Sequence, residues 1–237
     1  MTKGARALPL SFSQQINPWI AISVSTGVSN TMANSNRRSM MTVYSDPSCP
    51  FSHRTRIVMH EKNITANIED VIDGQWPEDV AAATPYGTSP VLFDRDIVLF
   101  DANIINNYFD ERFLQPPLMP SDPASRAQAR LMLHRIDKDW YSLWNSLIGA
   151  EKGKMSKARK TVLEDLTVLA PLFEQSDYFM SNEFSLLDCS LAPLLWRLPL
   201  LKIKLPSKAK AVEDYAERIF ARDSFQASLS DIEREMR

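Results

Sequence analysis

The chain has little of what marks a small secreted protein or a nucleic-acid binder. It has two cysteines in 237 residues, Cys49 and Cys189, in unlike settings. They make no disulfide framework and suit a reducing cytoplasm. Acidic and basic residues nearly cancel, leaving a net charge of -2. That balance excludes a general attraction to DNA or to an anionic membrane, so any action at DNA runs through a protein partner. No apolar run is long enough to span a bilayer. His53, His60 and His134 have no acidic residue spaced to complete a metal-ligand cluster. What is present is a chain that is 44% hydrophobic, enough for a full core in one large domain or two small ones.

Residues 1–40 stand apart, rich in Ser, Asn and Thr. Their one apolar patch is Trp19-Ile20-Ala21-Ile22. It is broken by Ser23 and Ser25, and Lys3 and Arg6 are too few for a signal peptide. A disordered tail is the expectation. From residue 41 the order of elements is legible. Residues 41–44 read as a strand and 53–62 as a helix. Residues 68–72 place apolar side chains two apart, as a second strand does. Residues 76–83 form a short helix stopped by Thr84-Pro85-Tyr86-Gly87. Two apolar runs, 91–93 and 97–100, flank the polar turn Asp94-Arg95-Asp96, and Asp101 caps a helix to about residue 112. The sum is βαβ followed by ββα, the thioredoxin-like order.

Leu114-Gln115-Pro116-Pro117-Leu118-Met119-Pro120 is proline-rich and marks a linker between domains at 41–113 and 121–237. Beyond it the pattern is helical. Ile136, Trp140, Leu143, Trp144, Leu147 and Ile148 recur at helical spacing, as do Val162, Leu163, Leu166, Leu169, Ala170 and Phe173. Both stripes read as core. Residues 149–160 read as a basic loop with a helix start. Asp137, Lys138 and Asp139 read as a solvated helix face. Ser185 caps a helix over 186–198 that is apolar nearly all round and therefore buried, with Asp188 reaching back to the Ser185 N–H. Pro193 should kink it. Cys189, inside it, reads as an inert core residue. Val212, Tyr215, Ala216, Ile219 and Phe220 mark a last amphipathic helix, and residues 231–237 read as a charged tail in solvent.

The sharpest chemical signal is Cys49-Pro50-Phe51-Ser52, between the first strand and the first helix. Unpaired N–H groups and the helix dipole favour an anion there, so a thiol can become a nucleophile. His53 and Arg54 follow it, and His53 is expected at the mouth of the site, with His134 at the domain interface. Ser52 stands where a resolving cysteine would, so no internal dithiol exchange is available. Two readings stay open: a thiolate that forms mixed disulfides, or a bystander in a turn kept for folding.

The whole arrangement resembles the glutathione S-transferase superfamily. Thr88-Ser89-Pro90-Val91 looks like its cis-proline turn, which pairs with the cysteinyl part of glutathione. Ser185 to Asp188 matches its capping box, and the Cys49 motif is similar to monothiol glutaredoxins and cysteine-type transferases. The resemblance implies a glutathione-like pocket at Cys49, Pro50, Phe51, Ser89, Pro90 and Asp101. That pocket lacks one part, since Ala102 stands where the superfamily has a serine for the γ-glutamyl carboxylate. One lost hydrogen bond to a charged group costs about 1.5–3 kcal/mol, or about ten- to hundred-fold in affinity. Glutathione binding is then weak, and no other cofactor and no metal is implied.

Longer runs resemble the stringent starvation protein A family. They are Leu118-Met119-Pro120, residues 132–141, residues 191–199, Arg222-Asp223-Ser224-Phe225 and residues 233–237. The resemblance implies a dimer, with itself or a paralogue, that associates with the RNA polymerase holoenzyme and regulates transcription under starvation or stress in the cytoplasm. It also implies a start near Met32-Ala33-Asn34, which makes residues 1–31 an extension. The partner surface implied is Leu114, Gln115, Pro116 and Pro117, with Gln115 where family members often carry histidine. The alternative function is a glutathione-dependent thiol transferase using Cys49.

Overall fold

The computed structural model describes residues 40–237. The expectations for residues 1–39 lie outside the described residues, and so do the apolar patch and the start near Met32. The described chain runs β1 (Thr42–Ser45), α1 (Pro50–Glu61), β2 (Asn67–Asp70), α2 (Glu78–Ala83), β3 (Val91–Asp94), β4 (Ile97–Phe100) and α3 (Ala102–Arg112). It then continues through helices alone: α4 (Pro123–Asp139), α5 (Trp144–Ile148), α6 (Lys152–Phe173), α7 (Leu186–Trp196), α8 (Lys210–Phe220), α9 (Asp223–Ser228) and α10 (Asp231–Arg234), with two short 3-10 turns between.

The sheet order is β2-β1-β3-β4, with β1 parallel to β2 and antiparallel to β3, and β3 antiparallel to β4. Side chains alternate between its faces. Val43 and Leu92 enter the large core shared with α1, α3 and the helical half. Tyr44 and Val91 point the other way, into a small cluster closed by Val71 and by Val80 of α2. The thioredoxin-like half and the helical half expected from the order of elements are both present.

Every residue of α7 is buried, so an apolar sequence all round the helix produced a helix covered all round. Its capping box forms as expected: Ser185 Oγ accepts from Leu187 N, and Asp188 Oδ2 accepts from Ser185 N at 2.8 Å. Cys189 is fully exposed to the core and not to water, and burial pushes its thiol well above the usual range.

Three expectations are corrected. α1 begins at Pro50, not residue 53, because the first helical position needs no N–H donor and proline is pre-set for it. Residues 152–160 are helix, not loop: lysine is a good helix former, and the exposed pairs Glu151–Lys154 and Lys160–Glu164 flank the stretch. Residues 231–237 are in solvent only in part: residues 231, 232, 234, 235 and 237 are exposed, but Glu233 is not. α10 folds back, and the Glu233 side chain is completely buried.

Candidate functional site

Strand register gathers the glutathione-like residues. Tyr44 pairs with Val91, and Val91 pairs with Phe100, so the end of β1, the start of β3 and the end of β4 lie side by side. The chain leaves β1 towards Cys49, enters β3 through Ser89-Pro90 and leaves β4 at Asp101. All three therefore meet at one end of the sheet. Cys49 is the N-cap of α1, with extended backbone and no side-chain capping bond, and it is half-buried. The Ser89-Pro90 bond is cis. Pro50 and Pro90 are buried, while Phe51 and Ser89 are partly exposed. Asp101 has a positive φ of 78° and is exposed, and its Oδ1 accepts from Asn103 N at 2.8 Å and Ile104 N at 3.2 Å. The carboxylate thus caps α3. Ala102 is buried and brings no hydroxyl.

The basic residues after Cys49 do not serve the thiol. His53 is fully buried, not at a mouth, with Nε2 3.0 Å from Ser228 Oγ and Nδ1 3.1 Å from Arg197 Nη1. Burial, then the charges of Arg197 and Arg56, hold its pKa well below the usual value, so the ring is neutral near pH 7. Arg54 is fully buried as well. Its guanidinium stacks 3.5 Å over the Tyr141 ring, and Nη1 donates to Asp137 Oδ1 at 2.6 Å. Asp137 Oδ2 accepts from Asn103 Nδ2. Asp137 is therefore a bridge from α4 to α1 and α3, not part of a solvated face. His134 is exposed beside a shallow groove between α3 and α4. Among the described residues no group of three or more His, Cys, Asp or Glu could hold a metal ion.

The linker has its own anchor. Lys62 Nζ donates to Phe113 O and Pro116 O, each at 2.6 Å, and lies 2.8 Å from Asp110 Oδ1. Asp110 Oδ1 in turn accepts from Leu118 N at 2.8 Å. The Gln115-Pro116 bond is cis. Tied from beneath, Leu114, Gln115, Pro116 and Pro117 all stay exposed, Leu114 at 72%. Beside them opens a groove of about 770 Å³, walled by apolar Leu114, Pro117, Met132 and Met180 and edged by Glu111, Asp122 and Glu183.

A second cluster escaped sequence reasoning. Glu233 lies between Arg56, whose Nη2 is 2.6 Å from Oε2, and Arg197, which pairs with Oε1. Two signals could have found it. Ser230-Asp231-Ile232-Glu233 is a capping-box spacing, and that box forms. An arginine at the end of a buried helix also needs a buried partner.

Family comparisons agree with this architecture. Residues 48–112 match the glutathione S-transferase N-terminal domain and residues 124–223 the glutathione S-transferase C-terminal domain. Among solved structures, a tau class glutathione S-transferase from mango superposes with a TM-score of 0.72 at 21% identity, covering 83% of this chain and 96% of that one. An omega glutathione transferase from Trametes versicolor gives 0.72 at 22% identity over 84% and 89%. At such identities the likeness shows the fold alone. Sequence relatives are nearer. A stringent starvation protein A homolog of Coxiella burnetii is 43% identical over 205 residues, 85% of this chain and 97% of its own. The homolog of Histophilus somni is 45% identical over 83% of this chain and 93% of its own. With the fold, the linker and near-complete coverage in agreement, the chain belongs to the stringent starvation protein A family, built on the glutathione S-transferase fold.

Proposed function

We propose that this protein is an RNA polymerase-associated transcription regulator of the stringent starvation protein A type, acting through protein contacts during starvation or stress. The observation that carries the reading is the linker face. Four exposed residues, 114–117, are held by Lys62 against the body of the protein and border an apolar groove with an acidic edge. A pinned surface binds a partner without the cost of ordering a loose loop. Near-neutral net charge argues for contact with protein over bare DNA. The exposed side chain of Ile104, at the shallow groove between α3 and α4, suits a dimer with a second copy or a paralogue. No described helix is long and apolar enough to cross a membrane, and a polymerase partner is in keeping with action in the cytoplasm.

The test is co-elution of the purified full chain with purified polymerase holoenzyme at moderate salt. Leu114→Asp should weaken binding at least about tenfold, with unchanged melting, because the residue is exposed and carries no buried contact. Failure of the wild-type chain to co-elute would sink the reading.

A second reading, glutathione-dependent thiol transfer at Cys49, is favoured by the meeting of Cys49, Ser89-Pro90 and Asp101 at one sheet end. Against it stand Ala102, a buried and neutral His53, and an Arg54 guanidinium engaged by Asp137. Incubation with oxidised glutathione should then leave little adduct on Cys49 by mass spectrometry. A stoichiometric adduct absent from Cys49→Ser, together with turnover of a disulfide substrate, would restore the transferase reading.

A further inference from the structure

The linker groove lies near the point where the described chain begins. Thr42 pairs with Phe93 across β1 and β3. The next residue, Asp94, pairs with Arg112 at the end of α3 and accepts from Tyr108 Oη. Two residues on from Arg112 is Leu114, where the exposed linker face starts. On the other side, Lys62 ties the linker to the end of α1. From there the chain enters β2, whose Asn67 N donates to Met41 O at 2.9 Å. The start of β1 and the linker therefore share one end of the sheet, opposite Cys49. Residues 1–39 join the fold at that end.

Groove and segment have complementary chemistry. The groove's lining carries four carboxylates, Asp110, Glu111, Asp122 and Glu183, against one guanidinium. That guanidinium, Arg126, is turned to Pro120 O, to which its Nε donates at 2.8 Å. Asp110 is held by Lys62 and Glu111 by Arg130, while Glu183 stands exposed at the rim. The walls offer bare apolar surface, with Leu114 72% and Met180 54% exposed. Residues 1–39 contain Lys3, Arg6, Arg37 and Arg38 and no acidic residue. The net charge of -2 thus divides into +4 on residues 1–39 and -6 on the rest. The segment also carries the apolar patch Trp19-Ile20-Ala21-Ile22. Methionine side chains adapt to an aromatic ring, and rim carboxylates can accept from an indole N–H. Ile22 is eighteen residues from Met40, a span of up to about 60 Å, so the patch can reach the groove. A tether of this kind holds the patch near the groove at about millimolar effective concentration, ahead of a free partner of like chemistry.

We propose that the N-terminal segment docks on the linker groove of its own chain: Trp19, Ile20 and Ile22 cover the walls at Leu114, Met132 and Met180, and the segment's cations face the Glu183 rim. The docking itself stands apart from the polymerase reading; its consequence, masking of the partner face, rests on that reading. A segment docked about nine-tenths of the time lowers the apparent affinity for polymerase about tenfold, because only the open fraction binds.

Methionine methyl resonances of the full chain test the docking without polymerase. A Trp19 ring seated in the groove shifts the Met132 and Met180 methyls by its ring current. Trp19→Ala should remove that shift, while the methyl of Met59, buried in the core, stays in place. Glu183→Lys should shrink the Trp19-dependent shift, as should added salt. Met132 and Met180 methyls that are the same with and without Trp19 would overturn the proposal. So would a shift indifferent to Glu183→Lys, or one that fades on dilution and so marks a second copy as the occupant. Co-elution with polymerase separates the two readings. Trp19→Ala should bind about tenfold tighter than the wild type, and equal binding would overturn the masking. A Trp19-dependent shift with no polymerase bound by either chain would leave the docking standing and remove the polymerase reading.

Discussion

Asp188→Ala is expected to destabilise the protein by about 4 kcal/mol. Its Oδ1 accepts from Phe179 N at 2.8 Å and Tyr215 Oη at 2.6 Å. Its Oδ2 accepts from Ser185 N at 2.8 Å and Ser185 Oγ at 3.0 Å. Phe179 and Tyr215 are buried, so alanine leaves an N–H and an O–H with no acceptor and no water. Each such donor costs about 1–3 kcal/mol, and the broken helix cap adds about 1. Urea unfolding should show a lower midpoint with an unchanged slope. At this chain length the melting temperature should fall by about 10 °C. Ser185→Ala removes only the cap and should cost about 1 kcal/mol. Equal effects of the two substitutions would show that Asp188 acts as a cap and not as the hub of a buried network.

Arg197→Met should cost about 3–5 kcal/mol, the range for breaking one partner of a buried pair. The side chain is fully buried. Its loss leaves Glu233 to Arg56 alone and strips donors from His53 Nδ1, Pro193 O and Ser48 O. Lysine is no substitute, because one ammonium cannot hold that fan of acceptors in a plane. The damage should centre on the tail, so carboxypeptidase should shorten the variant much faster than the wild type. Arg130→Ala makes the comparison: its pair with Glu111 at 3.2 Å is exposed and worth under about 1 kcal/mol. Similar losses in the two variants would contradict the buried geometry.

Much of the fold was legible because local patterns and global packing agree. The apolar runs around Asp94-Arg95-Asp96 became the β3–β4 hairpin, and Asp101 caps α3 as its position implied. The apolar surround of residues 186–196 could only be satisfied by burial on all sides. The site was less legible, for a geometric reason. His53 and Arg54 are adjacent in sequence, but consecutive residues on a helix point about 100° apart. One meets Ser228 and Arg197, the other Asp137 and Tyr141, and neither destination is local. Glu233 was hidden for the same cause: its partner Arg56 lies 177 positions away, and a charged tail with no visible partner reads as solvated.

The anchoring of the linker by Lys62 has a practical corollary. Lys62 is the C-cap of α1 and Cys49 its N-cap, and the twelve residues between span about 18 Å at 1.5 Å each. α1 is thus a built-in ruler, with a thiol at one end and the linker at the other. Cys189 is buried and its thiol is kept protonated, so a maleimide dye goes to Cys49 alone. A dye at that end is a fixed donor for energy transfer, and it measures from inside the fold how near any docked partner comes to the linker.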